Sequence, residues 1–202
     1  MLSIDKSILR DGSEAQERMR EYGSVVEELH IIVYTAPGFT ERKILKNVWI
    51  YPTNTVAKPL YFFNAYRIAV TRLSLEDYKA KPCNWIITSQ DAITSIVALF
   101  LKKKFGIPFQ AQIHTDFLSP FFRRESVKNY IRYLLYSRTI KKADCIRVVS
   151  ERLKNSIVSR FSAEGGSASG GKIPDSRISV LPIFVDIEKI KKHTPTVNLH
   201  EK

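Results

Sequence analysis

Short apolar runs alternate with segments of helical period along the chain. The runs lie at residues 2–4, 29–34, 48–51, 85–88, 109–114, 146–149 and 178–181. Their apolar residues are continuous rather than strictly alternating with polar ones, which is typical of strands buried on both faces. This order of strands and helices predicts an α/β fold with a mainly parallel sheet and helices on both of its faces.

Local signals place helices between these strands. Ser13 and Gln16 have the spacing of a capping box, which predicts a helix through Tyr22 that ends at Gly23. A second helix is predicted to begin near Pro59. A last helix follows residue 150, and its apolar stripe consists of Leu153, Ile157 and Phe161.

Two further helices have apolar residues at positions i, i+3, i+4 and i+7, the spacing of a face that packs on a sheet. The first begins at Asp91 as the N-cap residue and stops at Gly106. The second is basic and reaches about Lys142. Their stripes are formed by Ile93, Ile96, Val97 and Phe100, and by Val127, Tyr130, Ile131 and Leu134.

Length and composition predict one folded domain. The chain has 202 residues, of which 44% are hydrophobic, enough for one real core. We assign the domain to residues 1–186 and expect a flexible Gly/Ser loop at 163–171. Residues 187–202 are too polar to form another domain, and we expect them to be a tail or the beginning of a missing second domain.

The formal net charge of +12 predicts attraction to phosphate-bearing partners such as nucleic acid, anionic lipid headgroups or nucleotide-linked substrates. Much of the positive charge lies next to apolar helical stretches, so solvated helix faces are the alternative explanation. The basic clusters are Lys102–Lys104, Arg123–Arg124 and Lys141–Lys142.

Cysteine usage and hydropathy predict a cytoplasmic protein. The two cysteines, Cys83 and Cys145, precede strand-like residues, as free thiols in a reducing compartment do. The longest apolar run, within residues 93–101, is well short of the roughly 18 residues that span a bilayer. Any membrane contact is therefore expected to be peripheral, on the inner face.

Phosphate-loop, dinucleotide and zinc motifs are not found in the sequence. Candidate chemistry is therefore confined to polar residues that follow the predicted strands, since the carboxyl ends of parallel strands share one edge. Each of these residues has a structural alternative as a turn former or helix cap. The candidates are Asp11, Gly12, Ser13, Gln90, Asp91, His114, Asp116, Ser150 and Glu151.

Four blocks of the chain resemble the amino-terminal half of GT-B glycosyltransferases of family 4. The most specific is A-D-x-I-x-V-V-S at residues 143–150, followed by P-x-x-V-D at 182–186. The others are residues 11–13 before a helix and residues 110–121, which contain His114. The resemblance covers residues 1–186 and implies a Rossmann-like domain that forms one half of a GT-B fold.

The resemblance also implies a function. It implies retaining transfer of a sugar from a nucleotide-sugar donor to a sugar or lipid-linked acceptor, in enzymes of the kind that build cell-envelope polysaccharides. His114 is the implied catalytic residue, and the Gly12 loop is implied to lie near the donor phosphates. Gln90, Asp116, Ser150 and Glu151 are the remaining substrate-binding candidates. Transfer without a bound metal is implied, and we expect no cofactor.

The resemblance has departures and leaves alternatives open. Many members have two adjacent glycines in the first loop, where this chain has only Gly12. The donor-binding domain of the family is not in the sequence. We therefore expect the isolated chain to be inactive. The main alternative is an inactive basic module for nucleic acid or anionic lipid surfaces. For nucleic acid, which we do not favour, the stacking candidates are Tyr130, Tyr133 and Tyr136.

Overall fold

The computed structural model of the chain describes residues 1–75, 85–161 and 173–182. The predicted loop at 163–171, the tail at 187–202 and Cys83 lie outside the described residues. The described strands are β1 (Leu2–Ser3), β2 (Leu29–Val33), β3 (Arg42–Leu45), β4 (Val48–Pro52), β5 (Ile87–Ser89), β6 (Phe109–Ile113), β7 (Cys145–Val148) and β8 (Ile178–Val180).

The strands form one sheet in the order β3-β4-β2-β1-β5-β6-β7-β8. Every neighbouring pair is parallel except β3 and β4, which are antiparallel. The predicted mainly parallel α/β sheet is therefore confirmed. Strand β3 was not predicted, because it is a short edge strand whose sequence begins with Arg42 and Lys43 rather than with an apolar run.

The described part of the chain contains six α-helices. They are α1 (Glu14–Ser24), α2 (Tyr61–Leu75), α3 (Ala92–Phe105), α4 (Pro120–Glu125), α5 (Val127–Thr139) and α6 (Glu151–Phe161). The predicted caps of α3 are present: the Asp91 carboxylate accepts from the backbone N–H of Ile93, and Gly106 has a left-handed φ of 71° at the end of the helix.

The capping box predicted for α1 forms only in part. The Ser13 hydroxyl accepts from the backbone N–H of Gln16 at 3.1 Å, as expected. The Gln16 side chain does not accept a hydrogen bond from the Ser13 backbone N–H, as a full capping box requires. Its amide nitrogen instead donates to the Asp11 carboxylate at 3.1 Å. Gly23 lies inside the helix, one residue before its end, where a Cβ atom would overlap the Val48 side chain.

Two apolar clusters cover the two faces of the sheet. Helix α1 packs on one face, where Met19 contacts a cluster with Ile31, Val33, Val48 and Ile50. The other described α-helices contribute to the larger cluster on the opposite face, which contains Leu2, Phe109, Ile113, Ile146 and Ile157. Helices on both faces, as predicted, are confirmed.

The apolar stripe predicted for α5 faces largely outward, and the stripe predicted for α3 is split, with Val97 fully buried. Helix α3 buries mainly small residues, with Ala98 fully buried, whereas Ile93 and Phe100 are exposed. Helix α5 buries Tyr136, whereas Val127 and Tyr130 are exposed. Helix α3 lies between α2 and α5 and contacts the sheet, so small side chains on its inner face allow this close packing.

Candidate functional site

The carboxyl ends of adjacent parallel strands bring the predicted site residues to one edge of the sheet. Gln90 follows β5, His114 follows β6 and Ser150 lies two residues after β7. These three strands are neighbours in the sheet. Gly12 and Ser13 lie between β1, which is next to β5, and helix α1. The structure therefore places the candidates on the edge where parallel sheets bind ligands.

His114 keeps contact with solvent at this edge, but its pKa is lowered from the ordinary value of 6.5. Partial burial is the main cause, because the charged imidazolium loses hydration. The guanidinium groups of Arg147 and Arg18 lower the pKa further by charge repulsion. The imidazole is therefore neutral at pH 7, with one ring nitrogen able to donate a hydrogen bond and the other able to accept one.

Arg147 lies in the middle of β7, opposite Gln112 of β6. Side chains alternate between the faces of a strand, so Arg147, Gln112 and His114 share one face. The Nε atom of Arg147 is buried and has no hydrogen-bond partner in the described part of the chain. A buried donor without a partner is costly and in native proteins is usually satisfied by water or a ligand.

Arg18, on the exposed side of helix α1, is near enough to lower the pKa of the same histidine by its charge. Within residues 1–75, 85–161 and 173–182, no ion pair joins Arg18 or Arg147 to a carboxylate. His114, Arg18 and Arg147 therefore form a positively charged site, which we call the His114 site. This arrangement favours an anionic group next to a neutral imidazole.

Neither arginine was identified from the sequence. A signal for Arg147 was present, because a charged residue inside the apolar run Cys145–Val148 needs a partner when it is buried. Arg18 gave no comparable signal, since its helix also carries Glu14, Glu17, Arg20 and Glu21. Only the fold brings these three basic groups together.

The loop before α1 is built around Gly12, whose φ of 71° is in the left-handed region. The side chains on either side of it already have hydrogen-bond partners. The Ser13 hydroxyl donates to the Ser7 carbonyl at 2.6 Å and also caps the helix. The Asp11 pKa is lowered by a hydrogen bond from Gln16 and by the charge of Arg42. Because Ser13 is buried, a ligand at this loop would meet its backbone rather than the Ser13 hydroxyl.

The remaining candidates make contacts of the kind that turn formers and helix caps make. Gln90 accepts from the Ser3 hydroxyl at 2.7 Å, and Ser150 accepts from the Leu153 backbone N–H at 3.3 Å, as a cap of α6. Asp116 accepts from the Ser156 hydroxyl at 3.3 Å and so ties its loop to α6. Glu151 is exposed in the first turn of α6. Their roles in substrate binding stay predictions.

Comparisons with known proteins support the fold. No family model and no curated protein sequence matches the chain. Among solved structures, the chain is similar to a sucrose-phosphate synthase from Thermosynechococcus elongatus, with a TM-score of 0.61 and 10% sequence identity. The match covers 94% of this chain and 90% of that one. The chain therefore has the α/β fold of a GT-B glycosyltransferase domain.

Proposed function

We propose that this chain is the acceptor-side half of a retaining glycosyltransferase of the family 4 type. The observation that carries the proposal is the His114 site, where two guanidinium groups act by charge on a neutral imidazole and form no ion pair within the described residues. The site is at the strand edge expected for a ligand, in a fold shared with a sucrose-phosphate synthase. Its proposed substrates are a nucleotide-sugar donor and a sugar or lipid-linked acceptor.

The proposed chemistry matches the charges of the site. Transfer breaks the bond between the anomeric carbon and the donor diphosphate and forms a bond from the acceptor oxygen to that carbon. The diphosphate leaves with the electron pair and takes up the acceptor proton. Fixed cations stabilise the developing negative charge, a role proposed for Arg18 and Arg147, and His114 is proposed to hydrogen-bond a hydroxyl of the transferred sugar.

A second α/β domain, in the same chain or another, is proposed to hold most of the nucleotide. The isolated domain should therefore bind nucleotide-sugars weakly. Calorimetric titration with UDP-glucose and GDP-mannose is expected to show no saturable heat at concentrations below about 1 mM, which corresponds to about 4 kcal/mol of binding free energy. Tight binding would show that the donor site was assigned to the wrong domain.

The decisive experiment compares His114→Ala with the parent after the donor-binding half has been supplied, in cis or in trans. Transfer from UDP-glucose or GDP-mannose to a panel of alkyl glycosides is the readout. We expect at least about a tenfold loss, equivalent to about 1.4 kcal/mol of transition-state stabilisation. The thermal midpoint of each protein serves as the control for folding. A folded variant that transfers sugar at the parent rate would overturn the role of His114.

The alternative of a nucleic-acid module loses its main sequence support in the structure. Tyr136 is buried in the core, and Tyr133 packs near Phe117 with a ring-centre distance of 6.5 Å. Only Tyr130 of the three predicted stacking residues is exposed. A surface that binds single strands needs several accessible rings in succession, and α5 does not present them.

A further inference from the structure

Three neighbouring helices of the described chain contain no acidic residue, although Arg72 and Arg132 pair with Glu41 and Asp91 from other elements. Helices α2, α3 and α5 lie side by side on one face of the sheet, and none of their residues is Asp or Glu. We call their solvent-facing side the outer layer. Its helices contain the basic residues Arg67, Arg72, Lys102, Lys103, Lys104, Lys128, Arg132 and Arg138.

Helix dipoles do not account for this composition. A dipole favours cations in the last turn of a helix, but it equally favours carboxylates in the first turn. The first turns of α2, α3, α4 and α5 contain no acidic residue. In contrast, α1 begins with Glu14 and Glu17, and α6 begins with Glu151. The outer layer therefore differs in charge from the other helices of the described chain.

The same layer exposes large apolar side chains. Val127 at the start of α5 is 78% exposed, and Phe63 at the start of α2 is 64% exposed. Adjoining the layer, Phe121 in the short helix α4 that packs on α5 is 86% exposed. Ile93 of α3 and Ile131 of α5 are also exposed. Apolar groups concentrated on one face indicate a surface that meets a partner.

Aromatic rings continue this surface between α2 and α3. Phe62 lies 5.3 Å from Phe63 and 5.4 Å from Phe100, measured between ring centres. The Lys104 ammonium lies 6.0 Å from the centre of the Tyr66 ring. Aromatic rings combined with lysine are typical of surfaces that lie at the boundary between lipid headgroups and acyl chains.

A basic groove of about 970 Å³ extends the outer layer at the amino-terminal edge of the sheet. Its acidic residue, Asp144, is already bound by the Lys102 ammonium at 2.7 Å and by the backbone N–H of Phe109 at 2.7 Å. The groove therefore keeps a net positive charge beside the exposed ring of Phe100. Its cations are Lys102, Lys103, Lys141, Lys142 and Arg177.

We propose that the outer layer docks on the surface of an anionic lipid bilayer. Exposed rings and aliphatic groups would enter the headgroup region, and the cations would meet anionic headgroups. Phe121 and Val127 lie in the segment that leaves β6 after His114, so docking would bring the His114 site close to the bilayer. Such docking would give a membrane-bound amphiphilic acceptor access to the site, an inference that rests on the proposed function.

The docking is tested with the full chain and vesicles of phosphatidylcholine, with and without about 30% phosphatidylglycerol, in a flotation assay. The parent should bind the anionic vesicles and lose affinity as salt rises. Lys103→Glu with Lys128→Glu should weaken the binding at least about twentyfold, since each cation contributes about fivefold at such a surface. The matched control, Lys6→Glu with Lys46→Glu, makes the same change in exposed residues outside the outer layer.

A second pair of variants tests the apolar part of the surface. Val127→Ser should weaken vesicle binding severalfold, whereas Val25→Ser at the end of α1, where the valine is 79% exposed, should leave it unchanged. Phe121→Ser should have the larger effect because a larger side chain is withdrawn from the lipid.

Three outcomes would overturn the docking proposal. The first is equal binding to neutral and anionic vesicles, and the second is equal loss in the outer-layer and control variants. The third is a concentration-dependent dimer in sedimentation that Val127→Ser abolishes, because a second copy would then cover the layer. None of these measurements involves sugar transfer, so failure of docking and failure of the proposed function are distinguishable.

Discussion

His114 and Arg147 lie on the same face of the sheet, because Arg147 is paired with Gln112 and His114 follows Gln112 by two residues. The positive charge of Arg147 repels a protonated imidazole, and the same charge underlies the preference for anions proposed for this site. The electrostatics of the pair can be measured without knowing any substrate.

Replacing Arg147 is expected to raise the pKa of His114. In the parent, burial and the charges of Arg147 and Arg18 hold this pKa below 6.5. Arg147→Met removes one charge and retains much of the side-chain volume, so the pKa should move toward its ordinary value. The imidazole proton signals in an NMR titration report the midpoint directly. Arg152→Met, at an exposed arginine near Asp116, is the matched control, and an equal shift there would contradict the assignment.

The lowered pKa of His114 also predicts a dependence of stability on pH. As the pH falls through 6.5, the unfolded chain takes up a proton on His114 while the folded chain does not. The free energy of unfolding therefore decreases until the pH reaches the folded pKa. His114→Asn should lose less stability than the parent between about pH 7.5 and about pH 5.5 in urea unfolding. Identical pH profiles would show that the folded and unfolded pKa values are the same.

Gly12, in the loop before α1, is predicted to be required because its backbone adopts a left-handed conformation. A Cβ atom at Gly12 would meet nothing within 4 Å, so the cost of Gly12→Ala arises from the left-handed φ of 71° alone. We expect a loss of about 1–2 kcal/mol in the free energy of unfolding, and a smaller loss for Gly12→Asn. Denaturant titration measures both variants. Equal stability of Gly12→Ala and the parent would contradict the strain argument.

Gly23 is predicted to be required because its position leaves no room for a side chain. A Cβ atom here would overlap the Val48 side chain, and overpacking of this kind typically costs about 1–3 kcal/mol. The higher helix propensity of alanine, up to about 1 kcal/mol, offsets only part of that cost. Gly23→Ala should therefore destabilise the protein.

Val48→Ala supplies the control for the Gly23 prediction, because it removes the methyl groups that a new Cβ atom would meet. The double variant should be at least about 1 kcal/mol more stable than the sum of the two single effects predicts. Urea unfolding of the four proteins gives this coupling energy. Strict additivity would show that the two positions do not compete for the same space.

The sequence determined the elements and their order through short-range physics. Continuous apolar runs, the Asp91 cap and the stop at Gly106 act within a few residues, and they predicted the parallel sheet and the helix that begins at Ala92. The same local signals predicted that polar residues such as His114 follow strand ends. Gly23 was interpreted as a helix stop, because no local pattern records its contact with Val48, which is 25 residues away in sequence.

Tertiary structure alone decided which helix faces turn inward and which charges meet. The apolar stripe of α5 has correct helical spacing, yet packing buries Tyr136 and leaves Val127 exposed, because the choice depends on the shape of α3 and the sheet. Arg18, His114 and Arg147 are far apart in sequence, and only strand register and the position of α1 place them together. Electrostatic interactions depend on distance in space, which a periodic pattern along the chain does not contain.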